Sequence, residues 1–189
     1  IFGDSLEVDL NNECKGFIAV KNYGISGSTY VTDGGSCVIN LSNLTILNTY
    51  ADDTTDNSAA ALWVDGTYER VLIENVFVNG VTRENAATGD CKGIVVTNTR
   101  ANVVVRNCTV KNILTTGSFD ANADGISVFG LKINGAIENC FRTGKALVDN
   151  CHFVDCQGRG VKIQTSKATV SNSLFEHNLV ITMPNSRDI

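Results

Sequence analysis

Proline is almost absent from this chain: 189 residues hold one, Pro184. Histidine is nearly as scarce, with only His152 and His177, and no Cys-x-x-C pair occurs, so nothing supports a structural zinc site with its closely spaced nitrogen and sulfur ligands. No apolar run reaches eighteen residues, which excludes a membrane-spanning helix as a reading and with it membrane insertion. Excess positive charge is lacking too. With 15 Lys and Arg against 20 Asp and Glu, the net charge of −5 argues against a nucleic-acid-binding surface. Helix-forming runs of Ala, Glu, Lys and Leu are missing, while Leu, Val, Ile, Asn, Thr and Gly are plentiful, a balance that favours strands and turns. The seven cysteines are an odd set and read mostly as small buried apolar residues. This length suits one domain with one core, and a first residue of Ile1 rather than Met reads as part of a processed or longer chain.

The N-terminal letters Gly3-Asp4-Ser5-Leu6 resemble the block that names the GDSL esterases, and Asp149-x-x-His152 resembles that family's last block. Such an enzyme places its serine after the first strand of a three-layer α/β fold, which demands several amphipathic helices. None is legible here, and "DSLEVDL" alternates as a strand does. Asp149 and His152 flank an asparagine at which the alternation turns them outward on two different faces, so they read as surface residues.

What the chain does contain is a repeat. "LSNLTI", "IENVFV", "VRNCTV", "VDNCHF" and "VSNSLF" share one pattern around Asn43, Asn75, Asn107, Asn150 and Asn172, with the first two steps 32 residues long. A second pattern keeps a constant offset from it: "ALWVDG", "GIVVTN", "GISVFG" and "GVKIQT". Each segment alternates with period two, and the punctuation is turn chemistry. One repeat reads as strand "RVLIE", a turn at Asn75, strand "VFVNG", a long loop "VTRENAATGDCK" and strand "GIVVTN". Asn suits the turn because it tolerates left-handed backbone and can bond along a stack.

Alternation then assigns the interior in columns: Leu62, Ile94, Ile126 and Val161; Val64, Val96, Val128 and Ile163; Ile73, Val105, Val148 and Val170; Val78, Val110, Phe153 and Phe175. Cys108 and Cys151 share an inward column with Val76 and Ser173, within disulfide range of each other at a strand spacing of ~4.8 Å. Outward go Trp63, Val95, Ser127 and Lys162 in one column and Asp65, Thr97, Phe129 and Gln164 in the next, aromatic groups beside polar ones that suit sugar rings. The segments leading into these strands are acidic, with Asp52, Asp53, Asp56, Glu84, Asp90, Asp120 and Asp124. Such carboxylates can act as acid and base on a glycosidic bond, can hold Ca²⁺ through oxygen ligands, or can be solvated loop charge.

With this ladder the sequence resembles the pectate-lyase-like superfamily of right-handed parallel β-helices. The stretch "NCHFVDCQGRGVKIQTSKATVSNSLFEHN" resembles rungs of bacteriophage tailspikes and bacterial polysaccharide-degrading enzymes, and the resemblance spans residues 35–178. It implies an all-β, single-stranded right-handed solenoid of three strands per coil, one domain over residues 1–189 of a longer chain. It further implies a polysaccharide ligand, an extracellular or virion-surface location and a homotrimer. Substrate would lie along the "GIVV"-type strands on Trp63, Asp65, Phe129, Lys162 and Gln164. "NADGI" from Asn122 resembles the polygalacturonase "NTDGI", which assigns catalysis to Asp124, but "QGRG" from Gln157 stands where that family has "QDD", and its "HG" motif is missing. Lys92, Asp124 and Arg159 form a column of their own. They suit lyase chemistry, cations neutralising a uronate while a base takes its proton, with Asp120 among the loop acids; they equally suit a plain ion-pair ladder. A depolymerase, a non-catalytic receptor-binding shaft and a purely structural solenoid are the competing expectations.

Overall fold

The computed structural model describes residues 6–9, 18–22, 24–26, 29–31, 38–52, 59–66, 70–86, 90–99, 102–117, 122–130 and 144–178. Among them lie sixteen strands and no helix. They are β1 (Leu6–Asp9), β2 (Ile18–Asn22), β3 (Gly24–Ser26), β4 (Thr29–Val31), β5 (Val38–Asp52), β6 (Ala59–Gly66), β7 (Arg70–Ala86) and β8 (Asp90–Thr99). The rest are β9 (Asn102–Arg106), β10 (Thr109–Gly117), β11 (Asn122–Gly130), β12 (Lys145–Asp149), β13 (His152–Cys156), β14 (Val161–Gln164), β15 (Lys167–Ser171) and β16 (Leu174–Glu176).

The fold is all-β and its sheets are parallel; β3 and β4 form the one antiparallel pair among the described residues. A five-stranded sheet runs β14-β11-β8-β6-β2. A nine-stranded sheet carries everything else, and the long β5 and β7 pass through a bend within it, so that β7 pairs with β9 before Asn75 and with β10 after it. Between successive strands of the smaller sheet the chain therefore contributes one strand on each side of a bend. The stack also begins earlier than the legible repeats, because β1 pairs with Leu44–Leu47 of β5 and β2 with β6. "LEVD" is thus a strand, and Ser5 lies outside the described residues.

The bends are where the repeated asparagines act. Asn43, Asn75, Asn107, Asn150 and Asn172 all have φ between 49 and 56°, the left-handed region that costs most L-residues about 1–2 kcal/mol. Their amides bond along the stack: Asn75 Nδ2 donates to Asn43 Oδ1 at 3.2 Å, Asn150 Nδ2 to Asn107 Oδ1 at 2.8 Å, and Asn107 Nδ2 to Glu74 Oε1 at 3.4 Å. A second set of bends follows five residues later, at Asn48, Gly80, Asn112, Asp155 and His177, each again with positive φ. Only the backbone angle is shared there, so no repeated letter announces it.

Interior columns stack as alternation assigns them. Ile94 pairs with Leu62 and Ile126, Ile126 with Val161, Val110 with Val78 and Phe153, and the columns pack into one apolar core except at Phe175, which stacks on Phe153 at 5.0 Å but is 47% exposed because β16 is the end strand of its sheet. Cys91, Cys108, Cys151 and Cys156 are buried free thiols. Burial pushes Cys91 and Cys156 up to about 12, and a hydrogen bond with Cys151 together with burial raises Cys108, so these three are inert fillers at neutral pH, while the same hydrogen bond lowers Cys151. The glycines that open "GIVV" and "GISV" answer a packing demand. A Cβ on Gly125 would come within 2.6 Å of the Gly160 carbonyl, and one on Gly93 within 2.6 Å of the Gly125 carbonyl.

One expectation needs correction. Most of "VTRENAATGDCK" is strand, since β7 runs to Ala86 and β8 starts at Asp90. Val81 and Arg83 point in while Thr82 and Glu84 are half-buried, so the alternation continues through residues whose charge suggested a loop.

Asn107→Ala should lower stability by about 1–2 kcal/mol through backbone strain and lost ladder bonds. Asn107→Gly should cost less, because it keeps the left-handed backbone. Urea unfolding of the two variants checks this; equal losses would assign the whole effect to the amide bonds.

Candidate functional site

Lys92 on β8, Asp124 on β11 and Arg159, two residues before β14, occupy successive positions in one register, as their spacing implied. They meet closely. Lys92 Nζ lies 2.7 Å from Asp124 Oδ2, and Arg159 Nε lies 2.9 Å from Oδ1. Arg159 adds its backbone N–H to Oδ1 at 3.2 Å and a guanidinium nitrogen to Oδ2 at 3.4 Å, and Ser127 Oγ donates to Oδ2 at 3.3 Å. The three side chains are 2%, 0% and 7% exposed. This is a buried ion-pair ladder, alternately positive, negative and positive. Burial alone would raise the Asp124 pKa, but the charge of Lys92 and the hydrogen bonds and charge of Arg159 outweigh it and hold the carboxyl below the usual carboxylate range.

The departure from "QDD" has a physical reason. Gly158 donates its N–H to the Ala123 carbonyl at 2.7 Å, and a Cβ there would stand 2.8 Å from that oxygen and 3.0 Å from the Ala123 nitrogen. No aspartate side chain fits. The Gln157 side chain accepts from the Thr115 N–H at 2.6 Å, and Arg159 folds onto Asp124. Nearby Arg83 on β7, in register with Thr115, is 0% exposed. Sequence reasoning placed it in a loop; its parity with Val81 was the signal that it points inward.

The sheet face beside the ladder is less open than expected. Val95 and Ser127, assigned outward with Trp63 and Lys162, are 6% and 0% exposed, and Ser127 is spent on Asp124. Trp63, Phe129, Lys162 and Gln164 are half-buried. Lys162 Nζ sits 5.6 Å from the centre of the Phe129 ring, from the neighbouring strand. The Trp63 indole N–H has no partner among the described residues. Asp65 lies in β6 in register with Thr97, and Asp120 lies outside the described residues, as do Asp53 and Asp56.

Of the acidic segments, Asp52 on β5 is in register with Glu84 on β7, and Glu84 accepts from the Tyr50 hydroxyl at 3.0 Å. No group of three or more metal-ligating side chains occurs among the described residues, so the Ca²⁺ expectation gains nothing from them. Asp149 and His152 do not pair. Asp149 accepts from Ser171 Oγ and Asn172 Nδ2, both at 2.8 Å, and His152 Nε2 faces the Glu176 carboxylate. Among the described residues no helix is long and apolar enough to cross a membrane.

Asp124→Asn would leave Lys92 and Arg159 buried without a counter-charge and should cost about 3–5 kcal/mol. Because the folded pKa of Asp124 is depressed, its contribution is present above the ordinary carboxylate pKa of about 3.9 and is lost as pH falls through the lowered value. Unfolding measured from neutral pH downward should therefore show a loss of stability in acid that is smaller in Asp124→Asn.

No protein-family model, curated protein or solved structure matches this chain, so its function has to be read from its own geometry.

Proposed function

We propose that the chain winds as a right-handed parallel β-helix of three strands per coil and recognises a polysaccharide along the outward face of the β14-β11-β8-β6 sheet. The winding rests on the strand on either side of each Asn bend between parallel strands of the smaller sheet, and on the near-universal right-handedness of such crossovers. The observation that carries the recognition is the outward group Trp63, Phe129, Lys162 and Gln164. Two aromatic rings, a cation lying against one of them and an amide can together meet the apolar face and hydroxyl rim of a sugar. Lys92, Asp124 and Arg159 serve this face from below by fixing the strands to one another; contact with substrate would require the ladder to open.

A depolymerase is the second reading, favoured by one observation. Asp52 and Glu84 are in-register neighbours on parallel strands, hence ~4.8 Å apart in backbone spacing. Glycoside hydrolysis uses two acidic residues, and here two stand on adjacent strands.

Glycan-array binding, followed by incubation with capsular and uronate polysaccharides under assays for reducing ends and for the ultraviolet absorbance of unsaturated uronates, separates these readings. Binding without new ends is expected, and Phe129→Ala should weaken it about tenfold, equivalent to about 1.4 kcal/mol. New reducing ends abolished by Glu84→Gln would establish the depolymerase instead. Absence of any glycan binding would sink both readings.

A further inference from the structure

A different face of the molecule has an organisation that solvation does not explain. Residues 38–42 of β5 and 70–74 of β7 stack with β9, β12 and β15 in unbroken parallel register. Inward positions feed the core, which leaves three outward columns. The first reads Val38, Arg70, Asn102, Lys145, Lys167, every member exposed and none acidic. Among the described residues no ion-pair partner stands beside Arg70, Lys145 or Lys167. The second column carries Leu72, Val104 and Leu147 on three consecutive strands, half-buried and aliphatic on the outward side. In the third, Glu74 pairs with Arg106 at 2.7 Å and Asp149, hydrogen-bonded by Ser171, keeps its negative charge, so the column carries one net negative charge against the three cations of the first.

A chain of net charge −5 thus concentrates, along one edge of an apolar stripe, three cations with no ion-pair partner among the described residues. From Arg70 to Lys167 is three strand spacings, about 14 Å at ~4.8 Å each. The face is smaller than a protein interface: five strands of five residues cover about 400 Å², against the roughly 800 Å² per partner of a stable interface. Its shape is instead that of a line. A linear polysaccharide laid across the strands would place acidic substituents on the cation column and the apolar sides of its rings on Leu72, Val104 and Leu147.

We propose that this face binds an anionic polysaccharide, its negative charge supplied by uronate carboxylates or by sulfate esters. It lies on the other sheet from the Phe129 face, and the two stand or fall separately.

Isothermal titration calorimetry with a polygalacturonate oligosaccharide, a sulfated oligosaccharide and a neutral dextran of matched length tests it. Wild-type protein should bind one or both anionic probes and not dextran, and the tighter of the two identifies the source of the charge. The exposed triple variant Arg70→Gln/Lys145→Gln/Lys167→Gln should keep the wild-type unfolding midpoint yet bind about tenfold or more weakly, with a smaller dependence on salt. In a Phe129→Ala background, which removes a contact of the other face, the triple substitution should weaken the anionic probes by the same factor. Wild-type affinity in the triple variant, equal binding of dextran or no binding of either anionic probe would overturn the proposal. So would a wild-type dimer in sedimentation that the triple variant dissolves, since it would make the face a contact between copies. Loss of binding in Phe129→Ala alone would overturn it while leaving the Phe129 face standing.

Discussion

Parallel in-register stacking constrains the two large sheets, because each residue in them must be compatible with its counterparts one strand spacing above and below, ~4.8 Å away. Apolar side chains satisfy this by stacking on their like, as the Leu62-Ile94-Ile126-Val161 column does. Buried charges cannot. Two like charges at that separation in the interior would repel strongly, so a buried ionic column has to alternate in sign, and Lys92, Asp124 and Arg159 do. Exposed columns are screened by water and escape the restriction, which is why Arg70, Lys145 and Lys167 can share one.

The same constraint governs what was legible in the sequence. A side chain needed for its own chemistry repeats as a letter: Asn43, Asn75, Asn107, Asn150 and Asn172 combine tolerance of a left-handed backbone with a bond along the stack, and they show the bend. At the second bend only the backbone angle is common to all: Asn48, Gly80, Asn112, Asp155 and His177 satisfy it with four residue types whose side chains bond differently, Asn112 to Asn79 and His177 facing Asp155, and the bend is invisible. Interior columns were readable because parity and hydropathy agree there. At Arg83 they disagree, and parity holds. For Val95 and Ser127 parity correctly points outward from the core, yet both are buried, because parity reports the side of a sheet and not what else covers it.

The candidate site was legible as a column and not as a chemistry. Spacing brought Lys92, Asp124 and Arg159 together, but nothing in a linear pattern distinguishes an acid facing a groove from one sealed among five donors. Sealing has a consequence for function. A carboxylate so held is a rigid reference point, and the proposed recognition face, built on strands fixed in this way, would be presented without reordering when a ligand binds.

The repeats differ in width, and the ladder sits where the width changes. Asn150 to Asn172 is 22 residues, enough for β13, β14, β15 and both bends, whereas the 43-residue interval from Asn107 to Asn150 holds β10, nine residues long against five in β13. Where the narrow repeat lies on the wide one, the wide strands lose their backbone partners, and Leu114 is left 43% exposed. Gln157 and Arg159 stand at that step. The Gln157 amide oxygen takes the Thr115 N–H that a longer strand would have taken, while Arg159 closes over Asp124 with both backbone and side chain. "QGRG" is therefore the finishing of a strand edge: side-chain groups replace absent backbone, and Gly158 lets the chain approach Ala123 closely enough for them to reach.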